Sequence, residues 1–360
     1  MKNKLTTLIA TVLAALLLTA CVVQPVAAPA SDDATADSTA ADNGEEIATR
    51  IVTDDLGREV EIPANPQKVV FADEEHASMV TSLGYVPYAM AWSYQEDFVS
   101  TLEGIGGNVA DLSPIISVGE RNQPNVEKIL TLEPDLIVWV DWAEEEILSQ
   151  LEEIAPTLAM NPRHDVGGGY DIGPGGPRYS KQRIYASIVG LEGKLDAQIA
   201  EYESLLADVK ERHGDLLPNL EWTFLDTGAD FIPHMYDLEL FATFAYNAVM
   251  TDLGMTPLQA MVDATEEGFG FEENFGYAQI SLEVVPDFAA DVLFIGRYDD
   301  LPLDDQLLTV LSNTLPAQND QIYQVDSNVW TYHLVQAEIE ILRQVDEILN
   351  GGVENLGDFE

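Results

Sequence analysis

The chain has 360 residues and a formal net charge of −47, with 63 acidic residues against 16 basic ones. Phosphate binding needs a basic face, so this balance excludes a nucleic-acid partner, and it equally opposes electrostatic adhesion to anionic lipid. One cysteine, Cys21, excludes an internal disulfide.

The N-terminus reads as an export signal. Lys2 and Lys4 make a short positive start, residues 8–18 an apolar core, and Leu18-Thr19-Ala20-Cys21 a cut site. The apolar stretch falls short of the roughly 20 residues of a spanning helix. A cysteine directly after Leu-Thr-Ala resembles the bacterial lipobox, which implies cleavage before Cys21 and a lipid anchor on its sulfur. Residues 1–20 are therefore read as the signal peptide and 21–49 as the lipidated cysteine with a tether. The tether is rich in Ala, Asp, Ser and Thr, cannot bury a core, and reaches ~30 Å as a coil. Loss of Lys2 and Lys4 takes the mature charge to −49. The acid surplus fits solubility outside the cell or adaptation to salt or low pH.

The body, about 310 residues, suffices for two domains with their own cores. Residues 51–62 alternate as an edge hairpin. Strands are expected at 68–72, 88–92 and 136–140, and helices at 74–83 and 144–154, completing a first lobe over 50–177. The loop GGGYDIGPGG within 163–177 lacks the spacing of a phosphate cradle. Residues 179–213 carry apolar side chains at helical spacing, predicting one connecting helix over 178–214 with an interruption near Gly190–Gly193. A second lobe over 215–351 follows. Its expected strands are 222–226, 292–296 and 322–325, and its expected helices 238–253, 281–285 and 332–349.

Two segments repeat. NVEKILTLEPDLIV at 125–138 aligns without a gap on SLEVVPDFAADVLF at 281–294, placing Glu127 over Glu283 and Asp135 over Asp291. Each begins with an N-cap residue and a first-turn Glu, then a short helix, an Asp and an apolar run of the kind a buried parallel strand shows. The fold class is α/β: two Rossmann-like lobes joined by a single long helix, with a ligand cleft between them.

TDDLGREVEIPANPQKVV, PNVEKILTLEPDLIVW and ISLEVVPDFAADVLFIG, in that order, resemble the iron–siderophore/cobalamin class of ABC-transporter substrate-binding proteins over most of residues 51–350. The resemblance implies capture of a ferric siderophore, or alternatively of cobalamin or heme, and delivery to an ABC permease. It further implies that Glu127 and Glu283 form salt bridges to permease arginines. From the residues alone, a first-turn Glu also simply favours its helix dipole. The expected protein is a monomer without catalytic residues, resident metal or cofactor, anchored outside the cell membrane through Cys21.

Ligands in open α/β folds sit at the C-terminal ends of the strands. That rule selects Glu74, His76, Trp92, Arg121, Asn122, Trp142, Arg163, Tyr236, Arg297, Tyr298 and Trp330. Arg121, Arg163 and Arg297 are expected to focus positive charge on an anionic chelate, and the aromatic residues to pack on its apolar parts. His234 with Tyr236 is the pair to test for heme iron. His76, His164, His234 and His333 lack metal-ligand spacing. Two competing classes are a secreted hydrolase, for which no GxSxG, HExxH or Walker motif is present, and a sensor or adhesin on the same fold.

Overall fold

The computed structural model describes residues 48–351 except 94, 106–110, 122, 141–144, 162–178, 228–232, 237, 239–243, 269–276 and 299–302. Cys21 and residues 1–47 therefore lie outside the described residues. Among those described, no helix is long and apolar enough to cross a membrane.

The first lobe opens with an antiparallel hairpin, β1 (Thr49–Thr53) and β2 (Glu59–Pro63), paired from Thr49↔Pro63 to Thr53↔Glu59. It forms its own two-stranded sheet. Asp54 of its turn accepts from Arg58 and from the Ala159 amide, tying the hairpin to the lobe. The main sheet runs β5-β4-β3-β8-β9, all parallel: β3 (Val69–Phe71), β4 (Ala89–Met90), β5 (Ile116–Ser117), β8 (Leu136–Val140) and β9 (Thr157–Met160). A small hairpin, β6 (Gly119–Glu120) with β7 (Gln123–Pro124), follows β5. The helices are α1 (Glu74–Thr81), α2 (Gln95–Gly104), α3 (Val126–Leu132) and α4 (Glu145–Glu152).

Alternation along the strands explains their unbroken apolar runs. Val69, Phe71, Leu136 and Val138 enter one core, while Val70, Ala72, Ile137 and Trp139 enter another on the opposite face. A sheet covered on both sides needs apolar residues at every position.

The connector is two helices. α5 (Ser180–Ile188) and α6 (Glu192–His213) are separated at Gly190, whose φ of +70° a helix cannot hold. The 22 residues of α6 span about 33 Å.

The second lobe has a mixed sheet in the order β13-β11-β10-β14-β15. The parallel part is β10 (Glu221–Asp226), β14 (Val292–Arg297) and β15 (Ile322–Asp326), with β12 (Thr256–Pro257) beside β10. β11 (His234–Tyr236) and β13 (Tyr277–Gln279) are antiparallel. Its helices are α7 (Ala245–Leu253), α8 (Gln259–Glu267), α9 (Asp305–Leu311), α10 (Leu315–Gln318), α11 (Ser327–Trp330) and α12 (Val335–Leu349).

The repeat has a structural basis. Asp135 accepts from the amides of Gln67 (2.6 Å) and Lys68 (2.9 Å) just before β3, and Asp291 accepts from the Glu221 amide (3.1 Å) at the start of β10. Each Asp thus fastens the start of the neighbouring parallel strand. The match stops at the helix. Asn125 caps α3 through Lys128 N (2.9 Å), whereas 281–285 forms turns and then a 3-10 turn over Val285–Phe288. Pro286 has no amide donor to continue the ladder that the Val285 amide begins on the Ser281 carbonyl (3.3 Å), so the chain tightens into the 3-10 turn and the α-helix expected there does not form.

One core cluster runs through both lobes, joining Phe71 and Trp92 to α6 and on to Phe224 and Trp330. Polar ties reinforce it. Tyr179 Oη donates to Glu338 Oε2 of α12 (2.7 Å), Gln182 Nε2 donates to the Met79 carbonyl (3.2 Å), and Gln198 Nε2 to Gln336 Oε1 (3.0 Å). Gln336 also reaches the Ile105 carbonyl (3.5 Å), so α12 is strapped to the first lobe.

Candidate ligand cleft

The site is built where the parallel strands end. β3 runs out into Asp73, which is fully buried and caps α1 by accepting from the Glu75 amide (2.8 Å). Glu74 Oε2 accepts from the Ser93 amide (2.8 Å), joining the ends of β3 and β4. Arg121, at the tip of the β6–β7 hairpin, lies against this corner. Its Nε donates to Asp73 Oδ2 (3.0 Å), its Nη2 to Glu75, and Glu74 stands 3.8 Å from its Nη1. Burial alone lowers an arginine pKa, but the carboxylates of Glu75, Asp73 and Glu74 raise that of Arg121 above its ordinary value. Burial raises Asp73 and Glu74, against the pull of Arg121.

The opposite wall comes from the second lobe. Asp226, at the end of β10, is 1% exposed and accepts from Tyr236 Oη (2.7 Å) and Ser327 Oγ (2.9 Å). Tyr236 and Tyr298 bring their hydroxyls within 3.5 Å of each other, and Asn328 Nδ2 donates to the Tyr298 carbonyl (3.3 Å). Burial and Asp226 push both phenols above the ordinary tyrosine pKa, so both are neutral. Burial raises the pKa of Tyr332, between α11 and α12, and the carboxylates of Glu75 and Glu74 raise it further.

Several expected site residues are elsewhere. Trp330 is fully buried, with its ring 4.6 Å from that of Phe294 and 5.7 Å from that of Phe224, and its Nε1 donates to Gln344 (2.9 Å). It is a core side chain, held between β10, β14 and α12. His76 is likewise fully buried: α1 directs it at α5, where Nδ1 and Tyr185 Oη lie 2.6 Å apart. Trp92 is 6% exposed and packs on Phe98. Arg297 is 1% exposed, and Arg121 faces three carboxylates, so neither supplies the expected positive focus. Asn122, Trp142 and Arg163 lie outside the described residues. Glu74, Tyr236 and Tyr298 stand at the cleft. Tyr236, proposed above for heme, is bonded to Asp226, and the His234 ring meets that of Tyr277. Sequence reasoning missed Tyr332 and Ser327; both follow β15 in a stretch that reads as the start of a helix. Glu127 and Glu283 are both exposed. Among the described residues, no three His, Cys, Asp or Glu side chains converge to hold a metal.

The buried His76 makes acid destabilising. Burial lowers its pKa from 6.5 to about 3, so the unfolded chain takes up a proton over a range in which the folded chain does not. Stability therefore falls as pH drops below about 6.5, by about 2 kcal/mol between pH 7 and pH 5. Asp73 and Glu74, raised by burial, act in the opposite direction. The comparison that isolates His76 is the difference in urea midpoint between pH 7 and pH 5 in the wild type and in His76→Gln. The variant should lose much less on acidification, and an unchanged loss would refute the assignment.

Two α/β lobes joined by a helical connector, α5 and α6, each present polar clusters at their strand ends. The periplasmic binding protein family model matches residues 91–329, and the chain belongs to that family. It is similar to a probable siderophore-binding lipoprotein of Bacillus subtilis, YfiY, at 25% identity over 293 residues, covering 79% of this chain and 82% of that protein. It is also similar to the Fe(3+)-citrate-binding protein YfmC of the same organism, at 24% identity over 286 residues, covering 79% and 80%. Among solved structures, Staphylococcus aureus SirA complexed with staphyloferrin B superposes with a TM-score of 0.61 at 21% identity, covering 84% of this chain and 99% of SirA.

Proposed function

We propose that the protein captures a ferric siderophore outside the cell membrane and delivers it to an ABC permease. The observation that carries the reading is the family match over residues 91–329, on a fold that sets the Arg121 cluster and the Asp226–Tyr236 pair at the strand ends of its two lobes. The relatives support it, being named as siderophore- and ferric-citrate-binding proteins. Cys21 then carries the lipid anchor, and the tether holds the body just off the membrane. Glu127 and Glu283, exposed one on each lobe, dock to cations of the permease. The protein binds its solute and releases it unchanged; it is not an enzyme. The chelate is cargo and no resident cofactor is needed.

The test is a tryptophan-fluorescence titration of the mature chain with ferric hydroxamate, ferric catecholate, ferric citrate, heme and cobalamin, checked by calorimetry. Saturable binding of a ferric chelate is the expected result. Binding of heme or cobalamin alone would replace the substrate, and no binding by any of them would favour a sensor role.

A further inference from the structure

TDDLGREV at residues 53–60 closes the β1–β2 hairpin, and its side chains also occupy the rim of the main first-lobe sheet. Among the described residues β9 is the last strand on its side of that sheet, paired with β8 from Ile137↔Thr157 to Val140↔Met160. Ile137 N donates to the Pro156 carbonyl (2.9 Å). Backbone groups alternate along a strand, so those of 156, 158 and 160 face β8 and those of 157, 159 and 161 face outward. Such an outward row is a template on which another strand can add.

Here a turn fills the row. Arg58 Nη2 donates to the Thr157 carbonyl (3.3 Å), and the Ala159 amide donates to Asp54 Oδ2 (3.3 Å). Asp55 N donates to the Ala159 carbonyl (3.1 Å), and the Asn161 amide donates to Asp55 Oδ2 (2.6 Å). An added strand would make these bonds from its backbone and present a new edge beyond itself. The turn makes all but one of them from side chains, so the sheet stops there. The turn is also held in shape. Asp54 accepts from Arg58 N (2.9 Å) and Nε (2.8 Å), and Gly57, at φ +75°, lets the chain fold back on Asp54. Its outer fastenings are ionic: Asp55 pairs with Lys181 of α5, and Arg58 with Glu152 of α4.

We propose that the rim of β9 is a strand-addition surface for a second copy of this chain, and that the Asp54–Arg58 turn is the plug that keeps it shut. A second copy fits because two identical edges pair antiparallel about a two-fold axis, each offering the other the same row from Thr157 to Asn161. β9 itself reads TLAM, without the lysine or proline that blunts an open edge, so the protection comes from the turn. The surface is independent of which solute the cleft takes.

The experiment loosens the plug and leaves β9 intact. Asp54→Ala/Asp55→Ala is made in the mature chain and kept in reducing buffer, so that Cys21 cannot link copies. Amide exchange at Ala159 and Asn161 should quicken at least about tenfold over wild type, while the amides of Leu158 and Met160, which face β8, stay protected. Sedimentation should show a concentration-dependent dimer where the wild type remains a monomer. Adding Ala159→Pro removes an outward amide and no bond to β8, and should return the variant to a monomer. Arg58→Met, which keeps both carboxylates, is read in the same two ways if the double variant does not fold. Unchanged exchange at Ala159 and Asn161, or a wild type that is itself dimeric, overturns the plug. Rapid exchange in a chain that stays monomeric, or a dimer that survives Ala159→Pro, overturns β9 as the surface.

Discussion

Reversing both Glu127 and Glu283 to lysine is expected to abolish uptake while leaving chelate affinity within about twofold of wild type. The two side chains are exposed, and neither belongs to the cleft walls. The cost to the fold is small. Glu127 lies in the first turn of α3, where losing a favourable dipole contact costs about 0.3–1 kcal/mol. Glu283 lies in a turn with no α-helix to lose. At a docked interface, two like-charge contacts in place of two ion pairs cost several kcal/mol, enough to prevent productive encounter. The readout is uptake of radio-iron-loaded chelate into proteoliposomes holding the permease, beside a binding titration of the same variant. Normal transport by the double variant would refute docking through these residues.

Trp330→Ala should destabilise the protein by about 3–5 kcal/mol, the usual range for removing a buried tryptophan. The ring is fully buried against Phe224 and Phe294 and its indole nitrogen is bonded to Gln344. There is no slack in this layer: a Cβ added at Gly296 would collide with Ser327 Oγ and come within 2.7 Å of the Phe224 ring. Trp330→Phe keeps an aromatic filler and should lose less stability while binding chelate normally. Urea unfolding and titration of both variants check this. A Trp330→Phe protein of native stability that no longer bound chelate would return Trp330 to the site.

Much of the frame is legible in the residue order. Leu136–Val140 reads as a buried strand because it is apolar at every position, and the sheet covers it on both faces. The paired Asp135 and Asp291 reveal two lobes because the same hydrogen bond, from a neighbouring strand's first amides, is needed twice. Ser281 misleads: its residue type suits an N-cap, but the turn that forms begins at Val284 and holds Pro286, so no α-helix follows. The site is less legible because orientation is a property of packing. Arg121 and Arg297 both follow strand ends, yet one is enclosed by carboxylates from α1 and its cap and the other is closed inside the second lobe. His76 and Glu74 are two residues apart on α1 and point to different surroundings, one to α5 and one to the Ser93 amide. Tyr332 packs on the shared core only once α11 and α12 are in place, and no local spacing announces that.

The strapping of α12 to the first lobe also bears on how the chain reaches its folded state. The first lobe comes early in the chain, but Val335–Leu349 supplies contacts to α6 and hydrogen bonds to Tyr179 and Ile105, from the far end of the sequence. Loop closure over such separations is slow, and partly assembled α/β lobes expose strand edges meanwhile. The early lobe therefore waits, incompletely closed, until the last helix has been delivered. A chain stopped before Val335 forfeits both lobes at once, and protease resistance of the N-terminal half should arise together with that of the C-terminal half.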